Sequence, residues 1–145
     1  MTSRTFTIRL FRARDLPEIM ETERRAFPKS AYPAALILEY ARKFPEGFLV
    51  LQAGEEVAGY LIYDAADGHI FSMAVKPAHR REGIGSRLLT HARNRAQGRL
   101  WLEVRSKNRS ALRFYESLGM KVRGRVPGYY EEDDALVMVQ EEAAP

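Results

Sequence analysis

The chain of 145 residues contains no cysteine. That excludes a disulfide framework, a cysteine-ligated zinc and a cysteine nucleophile, so any group transfer must use another nucleophile or pass directly from donor to acceptor. Its three histidines are scattered without metal-ligand spacing, and no metal is expected. No apolar run approaches membrane-spanning length, and the opening Met1-Thr2-Ser3-Arg4-Thr5 lacks the apolar segment of a secretory signal. A cytoplasmic protein away from membranes is the expectation. Internal repeats, linkers and low-complexity segments are also missing.

The net charge of +4 comes from 23 basic and 19 acidic residues. The arginines are spread from Arg4 to Arg125 with carboxylates between them, and there is no basic tail. Direct nucleic-acid binding is therefore not expected, and a local positive mouth for a polyanionic ligand explains the excess with fewer assumptions. The length suits one domain, 1–140, with 141–145 as a loose tail, and a hydrophobic fraction of 46% describes a folded chain.

Apolar periodicity orders the elements. Phe6 to Phe11 alternates as a strand, and Asp15 followed by Leu16-Pro17-Glu18 starts a helix in which Leu16, Ile19, Met20, Glu23 and Phe27 keep helical period. After a break from Pro28 to Pro33, Ala34 to Phe44 reads as a second helix closed by Pro45-Glu46-Gly47. Phe48 to Ala53 and Glu56 to Ala65 form a hairpin around Gly54-Glu55, and Ala66-Asp67-Gly68 leads into a strand over 69–76. A third helix covers 87–97. Arg99 to Arg105 is a strand, Asn108 starts a short helix ending at Gly119, and Met120 to Val126 and Ala135 to Gln140 are the last strands. The strands flanking the third helix must pair in parallel through a right-handed crossover, which sets their carboxyl ends side by side, where ligands bind in such sheets.

The most informative stretch is Val75 to Gly85, V-K-P-A-H-R-R-E-G-I-G. A strand ends, a basic loop bends, and a helix opens with Ile84, Leu88, Leu89, Ala92 and Ala96 at helical spacing. The amides of Gly83, Ile84, Gly85 and Ser86 then fall in a first turn with no intrahelical partner, and with the helix dipole and Arg80 and Arg81 they favour a phosphate. The same order also suits an ordinary strand-to-helix connection. It lacks both the Gly-Lys-Ser/Thr triplet of nucleoside triphosphate loops and the third glycine of dinucleotide loops.

Two side chains suggest chemistry beside this loop. Glu103 interrupts the apolar run Trp101-Leu102-Glu103-Val104, so partial burial is expected to raise its pKa and suit it to general-base work. Pairing with Arg99 or Arg105 is the structural alternative. Tyr115 shares a helical stripe with Ala111 and Leu118, which reads as core as readily as catalytic.

Taken together, Val75-x-Pro77, Arg80-x-x-Gly83-x-Gly85, Leu102-Glu103-Val104-Arg105, Asn108, Ala111 and Phe114-Tyr115-x-x-x-Gly119 resemble the GNAT superfamily of acetyl-CoA-dependent N-acetyltransferases. The match runs over nearly the whole chain. Gly128-Tyr129-Tyr130 with Asp134-Ala135-x-x-Met138 is similar to the branch that acetylates protein amino termini, the RimI type and its archaeal relatives.

The resemblance implies a mixed α/β fold with a single central, largely antiparallel sheet of about seven strands, a parallel splayed pair at the cofactor site, and four helices. It implies acetyl-CoA as cofactor, with the pyrophosphate on Arg80, Arg81, Glu82, Gly83, Ile84, Gly85 and Ser86. The pantetheine arm would lie along Met73, Ala74, Val75 and Asn108. Glu103 would accept the proton of the acceptor amine, and Tyr115 would protonate the departing thiolate. Phe27, Pro28, Tyr32, Tyr129 and Tyr130 would clamp the first residues of a protein or peptide substrate, with ribosomal proteins among the candidates. His69 would face the same pocket as a substrate contact or second acid-base group, or serve the structure alone. A small amine or a lysine side chain as acceptor, and a non-catalytic acyl-CoA-binding module, are the alternatives. A monomer and a homodimer both fit.

The chain departs from the resemblance at two points. Glu131-Glu132-Asp133-Asp134 lacks a glycine before the acidic pair, and Lys29-Ser30 replaces an acidic or aromatic residue. Both touch the acceptor side rather than the cofactor.

Overall fold

Apolar periodicity and turn chemistry place most elements of the computed structural model, which describes residues 5–96 and 99–140. Strand β1 (Phe6–Leu10) leads through a short turn to helices α1 (Leu16–Ala26) and α2 (Ala34–Lys43). Strands β2 (Phe48–Ala53), β3 (Glu56–Tyr63) and β4 (Ile70–Val75) follow, and then helix α3 (Ile84–Arg95). Strand β5 (Leu100–Arg105), helix α4 (Arg109–Ser117) and strands β6 (Lys121–Tyr130) and β7 (Asp133–Gln140) complete the order. The expected tail at 141–145 and the last residue of the expected third helix lie outside the described residues.

The strands form two antiparallel sheets, β1-β2-β3-β4 and β5-β7-β6. Among the described residues they meet at one isolated parallel bridge, His69 to Trp101, where the Trp101 amide donates to the Gly68 carbonyl at 3.0 Å. The parallel pairing expected from the crossover is confined to that bridge, so the sheet expected as one is two, and β4 and β5 part beyond the bridge as the splayed pair that the resemblance implies. Each has its ladder on the far side satisfied, β4 by β3 and β5 by β7, so the backbone between them is left open.

Both faces of the four-stranded sheet are covered, which is why β2 reads Phe-Leu-Val-Leu with no polar alternation. Leu49, Leu51, Leu61, Met73 and Leu102 pack with Leu88 of α3 and Tyr115 of α4 on one face. Val50, Tyr60, Ile62 and Ala74 pack with Ile19 of α1 and Ile37 of α2 on the other. Ile62 faces Ser72 but Tyr63 faces Ile70, so Phe71 is an extra residue in β4, a bulge beside the opening.

The last hairpin differs from expectation. Strand β6 continues beyond Val126 to Tyr130 and turns tightly at Glu131-Glu132. A second irregularity lies between Val126 and Tyr130, centred on Gly128, whose φ of 64° is left-handed and whose amide donates to Asp134 Oδ1 at 2.9 Å. Period counting stops at Pro127 because the bulge breaks the alternation.

Candidate active site

A cleft of about 590 Å³ opens beside the start of α3. Met73, Ala74 and Val75 of β4 lie on one side, and Asn108, Ala111, Phe114 and Tyr115 on the other. Arg80, Arg81, Gly83, Ile84, Gly85 and Ser86 form its basic end. Gly83 caps α3 with φ 76° and no side-chain hydrogen bond, and the amide of Arg87 is the one that reaches back to the Gly83 carbonyl, at 3.0 Å. The amides of Ile84, Gly85 and Ser86 therefore precede the first intrahelical bond, as an anion site requires. A Cβ on Gly85 would sit 3.2 Å from Leu118 Cδ1, so glycine lets α3 approach α4 closely there. A long ligand with an anionic end fits these residues.

Asn108 serves first as the cap of α4, its Oδ1 accepting the Ala111 amide at 3.1 Å. Tyr115 is buried yet borders the cleft. Burial, reinforced by the Glu23 carboxylate and by Tyr130, holds its phenol pKa well above the usual value, so the hydroxyl keeps its proton.

Across the parted strands, on the face of β5 opposite Leu102 and Val104, Glu103 is gripped from two sides. His69 Nε2 contacts its Oε1, and the Tyr129 hydroxyl donates to Oε2 at 2.8 Å. The expectation of a raised Glu103 pKa is corrected. The hydrogen bond from His69 lowers it, burial opposes, and the bond from Tyr129 lowers it again, leaving the carboxyl below its usual range. The structural alternative of an arginine pair is not what holds it, since His69 and Tyr129 make these contacts and the Arg105 guanidinium lies 4.1 Å over the Tyr130 ring. Tyr129 is pushed up to about 12, chiefly by its bond to Glu103.

Aromatic rings surround this carboxylate. His69 stacks on Trp101 at 3.9 Å and leans on Phe71 at 4.7 Å, and Phe71 stacks on Tyr40 at 4.8 Å. The Tyr32 hydroxyl donates to the Phe71 carbonyl at 3.1 Å, and Tyr129 and Tyr130 meet edge to face.

The model of the acetyltransferase (GNAT) family matches residues 15–120. The chain belongs to that family. An uncharacterized N-acetyltransferase of Methanocaldococcus jannaschii is 39% identical, over 92% of this chain and 90% of its own. The ribosomal protein bS18-alanine N-acetyltransferase of Escherichia coli K12 is 32% identical, over 91% of this chain and 95% of its own. Among solved structures, Ard1 from Thermoplasma volcanium superposes with a TM-score of 0.79 at 29% identity, covering 96% of this chain and 99% of that one. The GNAT fold expected from the residues, and the archaeal and RimI-type likeness, are both found.

Against this acetyltransferase fold the expected residues fall into two groups. Met73, Ala74, Val75, Arg80, Arg81, Gly83 to Ser86, Asn108 and Tyr115 border the cleft, and so does Phe27, expected on the acceptor side. His69, Glu103 and Tyr129 cluster beyond the parted strands, near Tyr32 and Tyr130. Glu82 does not border the cleft, its carboxylate lying 3.3 Å from His79 Nδ1, and Pro28 is exposed on the turn after α1.

Sequence reasoning missed the role of Glu23. Its carboxylate is 1% exposed and accepts from the Tyr60 hydroxyl, from Ser72 Oγ at 3.0 Å and from the Tyr32 amide at 3.0 Å. It ties α1, β3, β4 and the loop of Tyr32 together beneath the rings. The signal was a carboxylate on the apolar stripe of α1, where a charge is retained only with partners.

Proposed function

We propose that the chain is an acetyl-CoA-dependent N-acetyltransferase whose acceptor is the α-amine at the start of a protein or peptide. The observation that carries this reading is the placement of Glu103 and Tyr115 on opposite sides of the opening between β4 and β5, one among aromatic rings and the other on a cleft whose basic end holds the first turn of α3. The relative from Escherichia coli supports the acceptor, because alanine carries no side-chain nitrogen and its acetylation can occur only at an α-amine.

Bound acetyl-CoA supplies an acetyl group activated as a thioester. Arg80, Arg81 and the amides of Ile84, Gly85 and Ser86 would hold its pyrophosphate, and Met73, Val75 and Asn108 its pantetheine arm. An α-amine with a pKa of roughly 7.7–8.0 is largely protonated near neutrality and must shed a proton before it attacks. Glu103, kept ionised by His69 and Tyr129, takes that proton directly or through water. Tyr115 holds a proton on the cleft wall, where a departing thiolate needs one. Tyr32, Tyr129 and Tyr130 enclose the acceptor's first residues, and side-by-side binding replaces a covalent enzyme intermediate.

The test is acetyl transfer to short peptides differing in their first two residues, a ribosomal-protein terminus among them, beside a blocked-terminus peptide containing lysine. Transfer to free termini alone supports the reading. Transfer only at lysine moves the acceptor to a side-chain amine, and tight CoA binding without transfer leaves a binding module.

A further inference from the structure

The phosphate loop carries a buried histidine to which the reaction above assigns no part. His79 ends the short turn Pro77–His79 after β4 and is 3% exposed, although it borders the cleft. Its Nε2 lies 2.8 Å from Glu56 Oε2 on β3, and its Nδ1 lies 3.3 Å from Glu82 Oε2 in the loop. The ring thus stands between a carboxylate of β3 and a carboxylate of the loop. Among the described residues, the charged groups around it include Glu56, Glu82 and Lys76, whose Nζ lies 3.8 Å from Glu56 Oε2 and 3.7 Å from Glu18 Oε2 of α1.

The segment that this histidine grips cannot hold its shape unaided. Arg81 has φ 69°, a left-handed conformation that a residue with a Cβ rarely adopts, and Gly83 is left-handed as well. No side chain caps α3 at Gly83. Such a conformation persists only when its surroundings impose it. Glu82 sits between the two left-handed residues, so a hold on its carboxylate fixes both neighbours.

We propose that His79 is a positioning residue for the anionic end of the cofactor: by bridging Glu56 and Glu82, it locks residues 80–86 onto β3 in the conformation that turns the first amides of α3 toward a phosphate. The proposal rests on the reading that the cleft takes CoA.

The experiment is CoA binding by calorimetry near neutral pH, with steady-state rates beside it, for the wild type, His79→Gln and Glu82→Ala. Each variant is expected to bind CoA roughly tenfold more weakly, with the KM for acetyl-CoA raised in step and kcat at saturation within about twofold. CoA binding by His79→Gln within about twofold of wild type overturns the proposal. If that variant fails to fold, unchanged binding by Glu82→Ala overturns it instead. Failure of the wild type to bind CoA at all overturns the underlying cofactor reading, a distinguishable result.

Discussion

His69 and Glu103 touch across the place where two sheets part. They are 34 residues apart in the chain, one immediately before β4 and the other midway along β5, and the parallel bridge from His69 to Trp101 sets their spacing. With the carboxylate ionised, His69 Nε2 carries the proton of the contact. The stack on Trp101 holds the imidazole plane, so the bond does not depend on a freely turning side chain.

This contact sets the acid behaviour of Glu103. A lowered pKa means the carboxylate is ionised throughout the neutral range, and its stabilising contribution is present above the unfolded value and lost as pH falls through the folded one. The acid limb of kcat/KM is therefore expected to follow the acceptor amine, near pH 8, rather than Glu103. His69→Phe keeps a ring on Trp101 but removes the bond. Carboxyl NMR should show Glu103 titrating below the ordinary glutamate range in the wild type and moving up in that variant.

The proton roles predict separable losses. Glu103→Gln should lower kcat by roughly 100-fold or more and leave CoA affinity within about twofold, because the amide keeps the shape and loses the basicity. Tyr115→Phe should lower kcat by a similar order, again with little change in CoA affinity. Unchanged turnover at every pH in both variants would falsify the assigned roles while leaving the family membership intact.

The bridge itself rests on Gly68. Its φ is 81°, and a Cβ there would lie 2.1 Å from the Arg99 carbonyl oxygen, a backbone atom that cannot rotate away. Gly68→Ala should cost about 2–4 kcal/mol and reduce kcat by displacing His69 from Glu103. Gly54, also left-handed but with nothing within 4 Å of its Cβ position, provides the control. Gly54→Ala should cost about 1 kcal/mol and leave kcat unchanged. Thermal melts and steady-state rates on both variants check the pair.

Glu23 predicts a stability effect with a graded rescue. Glu23→Ala leaves the Tyr60 hydroxyl, the Ser72 hydroxyl and the Tyr32 amide without their acceptor and should cost about 3–5 kcal/mol in denaturant unfolding. Glu23→Gln retains one acceptor oxygen and should cost less than half of that. Equal losses would show that the site responds to volume rather than to hydrogen bonding.

Much of this molecule was legible in the chain because its cues are local. The run from Val75 to Ser86 contains its own strand end, turn and helix start, and all but Glu82 of the expected loop residues from Arg80 to Ser86 border the cleft. Strand β6 was read short because Gly128 and its bulge interrupt a period of two. The direction of the Glu103 shift was read wrongly because burial was visible in its neighbours Trp101, Leu102 and Val104, whereas its two opposing hydrogen-bond partners lie 34 residues before it and 26 residues after it.

By itself the sequence determined the order of elements, the basic, glycine-bearing helix start, the exclusion of cysteine chemistry and the family likeness, since each follows from residues adjacent in the chain or at short fixed spacing. Only the tertiary structure decided which charges meet: His69 with Glu103, His79 with Glu56 and Glu82, Glu23 with Tyr32, Tyr60 and Ser72. The reason is range. A hydrogen bond acts over about 3 Å, and folding alone brings distant parts of a chain within that reach.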